Sequence, residues 1–351
     1  MELQSFISDN SDYIEKLKND GFKTKRFGRY DLLLIKYPYD KKINTDSYER
    51  YCRGAIVDLS TNRLKMIPPC KAESLVVSDF ELTDECEVEE LHDGTMINMF
   101  YHKNEWLMST RSDIGCNNKW NKRKSFREMF NECVDWENYE HLNRDYCYSF
   151  LMKHLDNRNV SVVENNTVLL VEVYDMKNLQ KIRVDTMIPL IKTNDLHESI
   201  VNRNVENFNT FSWKGITVKR NGKRYNYINE LFLHVESLNI NSNNPLYSFV
   251  DLRKQNKISD FLRFYPEYKK KFDEYDIAFD KLIVLLHDSY KSVHIYKTLK
   301  REDCDFQLRP LIYDVHGNYL RTKENTTKSV IKKYIESLST ERLVFVLKYY
   351  L

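Results

Sequence analysis

The sequence predicts an α+β protein in which an antiparallel-sheet domain, residues 1–245, precedes a C-terminal helical domain, residues 246–351. Two observations lead to this prediction. Short runs rich in β-branched and aromatic residues, separated by turn signals, recur up to about residue 245. Beyond that point the apolar residues recur with the spacing of α-helices, and strand-like runs become rare.

The first domain is predicted to start with a helix and to continue mainly as strands and hairpins. Its strongest turn signal is Asn221-Gly222, a pair typical of two-residue hairpin loops. Seven acidic residues between positions 81 and 93 suggest a solvated strand. In chain order, the predicted elements are a helix at 1–20, a strand at 30–37, hairpins at 53–68 and 95–112, a helix at 125–134, a strand at 166–175 and a hairpin at 215–228.

The second domain ends in two predicted short helices, each preceded by residues that favour a helix N-terminus. Thr326 or Thr327 can cap the first of these helices, and Ser339 or Thr340 can cap the second.

The composition limits the classes of protein to which this chain can belong. A net charge of +2 excludes a global field that attracts nucleic acid, so any such binding depends on local patches. Seven scattered cysteines without a Cys-x-x-Cys pair argue against a disulfide framework and against a zinc site. The N-terminus does not resemble a signal peptide, and no apolar run reaches the roughly 20 residues that span a bilayer. We therefore expect a cytoplasmic protein without metal or membrane contact.

Several weak motifs follow one another in a characteristic order. Arg53-Gly54 on a strand comes first, followed by Asp93-Gly94-Thr95 and then Thr110-Arg111-Ser112. The later motifs are the segment 148–162, Lys214-Gly215-Ile216-Thr217-Val218 and the segment 224–235.

This order resembles the core of T4 RNA ligase 1-like proteins, which belong to the covalent nucleotidyltransferase superfamily together with DNA ligases and mRNA capping enzymes. It is similar to ligase-like proteins of large DNA viruses. The resemblance implies a nucleotidyltransferase (ATP-grasp-like) antiparallel-sheet core with a C-terminal helical domain. In active members, a lysine two positions before Asp-Gly attacks ATP.

The resemblance also implies that the catalytic motifs are degenerate here. Leu91 occupies the position of the reactive lysine, although Asp93 and Gly94 are kept. Leucine offers no nucleophile, so the covalent route is closed. The other degenerate positions are Leu151 and Lys214, where the family carries glutamates, and Asn226, in the segment that aligns with its closing Lys-x-Lys motif.

Four residues near these motifs have both a functional and a structural interpretation. Lys71 is the best candidate for a displaced nucleophile, and His92 is a weaker one; an ordinary surface or strand position explains each more simply. Arg53 could contact a phosphate or pair with Asp93. Arg111 could contact a phosphate bidentately, or form a salt bridge with the acidic 81–93 stretch.

Two basic patches favour RNA binding, because cations beside aromatic rings suit phosphate contact and base stacking. A solvated face is the alternative interpretation. Trp213 is the tryptophan that we expect to stack on a base, although a single Trp more often lies in the core. The candidate RNA-binding residues are Trp120, Lys122, Arg123 and Lys124 in the first patch, Lys219, Arg220, Lys223 and Arg224 in the second, and Trp213, Arg53 and Arg111.

The sequence therefore predicts an inactive RNA ligase-like protein that binds RNA or an RNA end, capped or uncapped, within a viral RNA-processing or translation complex. It would work in the host cytoplasm or a viral factory and would need no cofactor. One alternative is an active ligase or nucleotidyltransferase that uses ATP and Mg²⁺ with a displaced nucleophile. The other is a protein–protein scaffold that docks a partner through the helical domain and has an empty pocket.

Overall fold

A computed structural model of the protein describes residues 1–75, 83, 86–119, 124–139, 141–184, 210–239 and 244–351. The fold is mixed α/β, with mainly antiparallel sheets followed by C-terminal helices; the pairing of strand Ala72–Ser74 with strand Lys223–Ile228 is parallel. The chain divides into two compact units, Met1–Glu236 and Ser237–Leu351. The predicted domain boundary near residue 245 stays a prediction. The division between the two compact units lies between Glu236 and Ser237.

The N-terminal sheet packs with two short helices rather than with the single predicted helix at 1–20. The chain is extended at Asn10, whose side-chain amide donates to the Phe6 carbonyl at 2.7 Å, and the helix ends there. Strand β1 was not predicted because its side chains are mostly exposed. The elements are α1 (Glu2–Asp9), α2 (Tyr13–Asn19), β1 (Lys23–Phe27), β2 (Leu32–Lys36), β3 (Arg53–Asp58) and β4 (Arg63–Met66), and the strand order is β1-β2-β3-β4.

A second sheet is built mainly from the long central strands. Its hairpin between β7 and β8 turns at Lys103 and Asn104, which both adopt positive φ. Ser125 caps helix α3 through a capping box with Glu128, at the predicted N-terminus. The elements are β7 (Thr95–His102), β8 (Glu105–Ser109), α3 (Phe126–Cys133), β9 (Tyr146–Lys153), β10 (Thr167–Asp175) and β11 (Gln180–Ile182), in the sheet order β11-β10-β9-β7-β8.

The third sheet contains the predicted 215–228 hairpin. Asn221 and Gly222 have φ values of 51° and 73°, as a two-residue hairpin loop requires. Side chains alternate along its central strand, so that Ile216 and Val218 join an apolar cluster while Lys219 points to the other face. The strands are β5 (Ala72–Ser74), β6 (Glu87–Glu90), β12 (Gly215–Arg220) and β13 (Lys223–Ile228), in the order β5-β13-β12-β6.

The second unit is helical, as the sequence predicts. Thr327 and Ser339 cap its last two helices by accepting backbone N–H bonds. No helix in the described part of the chain is both long and apolar enough to cross a membrane. The helices are α4 (Glu230–Leu238, which spans the division), α5 (Pro245–Lys254), α6 (Ile258–Phe264), α7 (Lys269–Tyr290), a π-helical turn (Lys291–Ile295), α8 (Leu308–Thr322), α9 (Lys328–Ser337) and α10 (Thr340–Leu347).

Candidate functional site

Two motif glycines allow close backbone approaches that hold the predicted motifs together. A Cβ atom on Gly94 would lie 2.7 Å from the Met152 carbonyl oxygen and 3.0 Å from Cγ of Leu151. A Cβ atom on Gly215 would lie 2.0 Å from the Tyr227 carbonyl oxygen, and φ there is +145°. Both positions therefore require glycine.

The predicted nucleophile position lies where these motifs meet. The Leu91 N–H donates to the Gly215 carbonyl at 2.9 Å, and the leucine side chain is half-buried. Neighbouring His92 is engaged, because its Nδ1 lies 3.2 Å from Oε1 of Glu90 and 3.3 Å from Nζ of Lys153. The predicted nucleophile position therefore carries the hydrocarbon side chain of Leu91.

Asp93 is an anchor for the loop that follows β9. Its Oδ2 accepts the backbone N–H groups of Val160 and Ser161 at 2.9 and 3.0 Å. Its nearest cationic partner is Lys214, whose Nζ lies 3.7 Å from Oδ1. The predicted alternative in which Arg53 pairs with Asp93 therefore does not hold among the described residues. Lys214, at a position where the resemblance implies a glutamate, pairs with Asp93 instead.

Leu151 lies in the middle of the second sheet. It is buried on β9, opposite Leu169 on one side and Met96 on the other. Hydrocarbon therefore occupies the strand position at which the resemblance implies a glutamate. A leucine there offers no ligand to a metal ion.

Four charged side chains form a buried cluster between the second and third sheets. Glu172 of β10 forms ion pairs with Arg224 and Lys219. Its Oε1 lies 2.6 Å from Nη1 of Arg224 and 3.5 Å from Nζ of Lys219. Lys219 also pairs with Glu89 of β6. We call Glu89, Glu172, Lys219 and Arg224 the central ion cluster. Its two carboxylates balance its two cations.

The electrostatics of the cluster keep Glu172 ionised. Burial alone would raise the pKa of Glu172, but the positive charges of Arg224, Lys219 and Lys181 outweigh it and hold that pKa below its ordinary value. The structure thus places Lys219 and Arg224 inside the protein, although the sequence suggested an RNA-facing patch. It also places Glu89 in the interior, although the 81–93 stretch was predicted to be solvated.

Asn226 lies on the same face of β13 as Arg224, two residues further along. Its Oδ1 accepts a hydrogen bond from the Thr217 hydroxyl at 2.9 Å, across the β12–β13 pair. The side-chain oxygen of Asn226 therefore already has a hydrogen-bond partner within the protein, next to the ion cluster.

A second group of cations, Arg53, Lys71 and Arg111, has no carboxylate partner in the described part of the chain. A Cβ atom on Gly54 would lie 3.0 Å from Cα of Arg111, so the two predicted motif arginines lie on adjoining backbone. Partial burial, followed by the charges of Arg53 and Arg111, lowers the pKa of Lys71, although part of this lysine faces solvent. We call these three residues the cationic trio.

Arg111 is held in place by Tyr37. Its Nη2 donates to the Tyr37 carbonyl at 2.7 Å, and its guanidinium lies 4.6 Å from the centre of the Tyr37 ring. Its Nε is buried and has no hydrogen-bond partner among the described residues. Among the described residues, no member of the trio forms an ion pair with a carboxylate, so the alternative salt bridge from Arg111 to the acidic 81–93 stretch is absent there.

The rest of the two predicted basic patches is divided between paired and undescribed residues. Trp120, Lys122 and Arg123 lie outside the described residues. Lys124 pairs with Glu132 at 2.8 Å and with Asp156 at 2.9 Å. In the second patch, Lys223 pairs with Asp46, and Arg220 lies at the strand end beside the turn.

Trp213 packs in the apolar cluster of the third sheet and is 9% exposed. It therefore contributes to the core, which corrects the expectation that its ring is available to stack on a base.

Glu132, His154 and Asp156 have ligand atoms within 4.8 Å of one another, the spacing of a possible cation site. Both ring nitrogens of His154 are already used, since Nε2 lies 2.9 Å from Glu132 and Nδ1 accepts the Asp156 N–H at 3.0 Å. The ammonium group of Lys124 lies between the carboxylates. The arrangement is a salt-bridge network closed by a lysine.

A cavity of about 830 Å³ adjoins the central ion cluster. Glu172, Lys181, Lys219 and Arg224 contribute charged groups to its wall, with Tyr51 and Tyr174. Its volume suits a nucleotide-sized molecule. An anion that entered it would meet Lys219 and Arg224, which already have carboxylate partners.

Comparison with known proteins gives weak sequence similarity and partial structural similarity. No protein-family profile matches the chain. It is 22% identical over 229 residues to the immediate-early protein ICP-46 homolog of Invertebrate iridescent virus 3, covering 59% of this chain and 49% of that protein. The chain thus spans about half the length of this curated relative.

Similar solved structures include RNA ligases and a putative DNA ligase. An archaeal ATP-dependent RNA ligase aligns with a TM-score of 0.47 and 14% identity, over 78% of this chain and 73% of the ligase. A putative ATP-dependent DNA ligase from Aquifex aeolicus has a TM-score of 0.42 and 13% identity, over 96% and 77% of the two chains. A Naegleria gruberi RNA ligase has a TM-score of 0.33 and 15% identity, over 48% and 57%.

Proposed function

We propose that this chain is a nucleotidyltransferase-like protein that binds RNA, at or near an RNA end, without forming a covalent nucleotide adduct. The observation that carries the proposal is the cationic trio, in which Arg53, Lys71 and Arg111 have no carboxylate partner among the residues that the structure describes. Position 91, where the resemblance implies the reactive lysine, is a leucine.

Covalent chemistry finds little support in the residues around Leu91. The Asp93 carboxylate is used by the 159–161 loop and by Lys214. In the central ion cluster, Lys219 and Arg224 are paired with carboxylates. They are therefore not available to stabilise charge that develops on a phosphate. These features favour a fold that has kept a pocket and lost nucleotide transfer.

Phosphate recognition is supported by the chemistry of the trio. Arginine presents planar donors that match phosphate oxygens bidentately. The Arg111 Nε is a buried donor with no partner, and a buried donor left without a hydrogen bond is costly. An anion that reaches the trio would therefore gain charge-assisted hydrogen bonds without first displacing a carboxylate.

An RNA end supplies phosphate together with bases, whether or not it is capped. We propose that the protein works in a viral complex that processes or translates RNA, and the similarity to an iridescent-virus protein supports the viral setting alone. The cytoplasm or a viral factory would be the corresponding location, and protein partners could use the helical unit.

The binding experiment compares the triple variant Arg53→Gln, Lys71→Gln, Arg111→Gln with a control of equal charge change, Lys18→Gln, Arg29→Gln, Arg63→Gln, whose parent side chains are exposed. Anisotropy with a labelled 5′-phosphorylated single-stranded RNA would be recorded between 50 and 200 mM salt. Three phosphate contacts contribute a log–log slope of roughly −2, so the triple variant should flatten the slope by that amount. Affinity at low salt should fall by at least about tenfold.

The matched control should retain both its affinity and its slope. Equal losses in the two triple variants would show that the trio has no specific role. No RNA binding by the parent protein at 50 mM salt would remove the proposal and leave the scaffold hypothesis.

A second candidate is an active nucleotidyltransferase with Lys71 as the displaced nucleophile. It is favoured by one observation, the lowered pKa of Lys71, which increases the fraction of neutral amine. Incubation with α-labelled ATP and Mg²⁺ or Mn²⁺ distinguishes the candidates. A labelled band that disappears in Lys71→Met would establish this activity, whereas our proposal expects no labelled band.

A further inference from the structure

The second unit has an exposed segment in which cations alternate with apolar and aromatic residues. Residues 291–301, with the sequence KSVHIYKTLKR, contain four cations and no acid. From position 295 to position 301 every residue is exposed. In the first unit, carboxylates pair with the predicted patch residues Lys124, Lys219, Lys223 and Arg224, whereas this segment is exposed.

The four cations of this segment have no carboxylate partners in the described part of the chain. Lys291 and Arg301 instead lie near aromatic rings, 5.8 Å from the centre of Tyr296 and 5.7 Å from the centre of Tyr313. Lys297 and Lys300 extend from the exposed stretch between them. Glu302 and Asp303 follow directly but form no ion pair with these four residues.

The segment is held against helix α8 by a pair of stacked histidines. The rings of His294 and His316 are 3.7 Å apart and 8° from parallel. The π-helical turn at Lys291–Ile295 ends α7, and the backbone N–H of Thr298 then donates to the Ser292 carbonyl at 2.9 Å. These contacts make the segment a built surface, with Tyr296 and Tyr313 on its exposed side.

The two tyrosine rings are unusually accessible for a folded unit. Tyr296 is 61% exposed and Tyr313 is 65% exposed, although tyrosine in a folded domain normally buries much of its ring. An exposed ring with a cation beside it matches the needs of a single-stranded nucleic acid, whose bases stack while its phosphates contact cations.

We propose that Lys291, Tyr296, Lys297, Lys300, Arg301 and Tyr313 form a binding surface for single-stranded RNA on the second unit. This surface is separate from the cationic trio and does not depend on a nucleotide pocket. Charge complementarity favours a polyanion, and the two exposed tyrosine rings favour one that carries bases. A membrane surface would call for a wider apolar face than the single exposed residues Ile295 and Leu299 provide.

The test uses the full-length protein and a matched pair of triple variants in the second unit. Lys297→Gln, Lys300→Gln, Arg301→Gln removes three cations of the surface. Lys269→Gln, Lys270→Gln, Lys271→Gln removes three exposed cations at the start of α7. Binding of an unphosphorylated single-stranded RNA of about 20 nucleotides would be recorded as a function of salt.

We expect the first triple variant to lose roughly twentyfold in affinity at 50 mM salt and to flatten the log–log slope by about 2, since each phosphate contact contributes roughly 0.7. The α7 control should keep the parental slope. Tyr296→Ala and Tyr313→Ala should each weaken binding by roughly fivefold or more without changing the slope, because stacking releases no counterions. Tyr349→Ala, which removes another exposed tyrosine, should have no effect.

Two outcomes would overturn the proposal. Equal losses in the surface and α7 variants would show that only net charge matters. Binding to phosphatidylserine vesicles that depends on the surface cations, without RNA binding that does so, would assign the surface to membranes. This test is independent of the test of the cationic trio. RNA affinity lost only in the trio variant would leave the second-unit surface intact, and affinity lost only in the second-unit variant would leave the trio intact.

Discussion

At the scale of single residues, the proposed function depends most on Leu91, which occupies the position where the resemblance implies a reactive lysine. The first prediction is that Leu91→Lys does not restore a covalent adduct with ATP and a divalent metal. The new amine would find Lys214 next to Asp93, and Leu151 in place of a carboxylate. A gel assay with α-labelled ATP checks this, and a labelled band in the single variant would contradict it.

The second prediction concerns Glu172, the acid shared by the cations of the central ion cluster. Glu172→Gln leaves Lys219 with one acid and Arg224 without its close partner. Removing one partner from a buried ion pair costs about 3–5 kcal/mol, so urea unfolding should show a loss of that order.

Glu87→Gln is the matched control for this loss. Glu87 pairs with Lys181 and Arg183, but it is partly exposed, and exposed pairs contribute about 0–1 kcal/mol. Similar losses in both variants would show that the cluster is not tightly coupled.

At the scale of elements, the third prediction is that alanine at two glycine positions changes the free energy of unfolding in opposite directions. Gly94→Ala would force a methyl group against the Met152 carbonyl at 2.7 Å, which should cost roughly 1–3 kcal/mol. Gly317, inside α8, has no atom within 4 Å of a Cβ position, so Gly317→Ala should stabilise by about 0.5–1 kcal/mol. Chemical denaturation measures both changes, and a stable Gly94→Ala variant would refute the close approach.

The stacked histidines give a fourth prediction, on pH. Burial, and then His316 and Arg301, lower the pKa of His294 from its ordinary value of 6.5. Because the unfolded chain takes up the proton more readily, this contribution to stability is complete above pH 6.5 and decreases as the pH falls below it. His294→Phe keeps a ring in the stack and should make unfolding less sensitive to pH between about 7 and 5. Unchanged pH sensitivity in this variant would exclude His294 as the group responsible.

Local signals predicted much of the first unit. Asn221-Gly222 specified its hairpin, and Ser125 with Glu128 specified the start of α3, because turns and caps depend on neighbours in the chain. The single helix at 1–20 was predicted too long, since apolar spacing alone does not reveal that the backbone becomes extended at Asn10. Strand β1 carried no periodic signal at all.

The candidate site was harder to predict because its contacts join distant parts of the chain. Lys219 meets Glu89 across 130 residues, and Arg224 meets Glu172 across 52. Read locally, these two cations are part of a basic hairpin, whereas in the fold they are buried and neutralised. Arg53 and Arg111 were named as phosphate candidates from the sequence, but their grouping with Lys71 became visible only in the structure.

At the scale of the whole molecule, each unit has a core of its own. The first unit buries apolar clusters between its sheets, and the second buries residues such as Phe249, Phe272 and Phe279 between its helices. The fifth prediction is that calorimetry resolves two unfolding transitions, since units with separate cores can unfold separately.

Variants assign the two transitions to the two units. Gly94→Ala should lower only one melting temperature, and Gly317→Ala should raise only the other. A single transition that both variants shift together would show that the two units unfold as one.

The central ion cluster also constrains how this chain can change over generations. Removing Glu172 deprives Arg224 of its ion-pair partner in the cluster, and removing Lys219 does the same to Glu89, so most single replacements at these two positions would be eliminated. Replacements that persist must come as compensating pairs, such as an acid and a cation lost together. In related chains, positions 89, 172, 219 and 224 should therefore vary jointly.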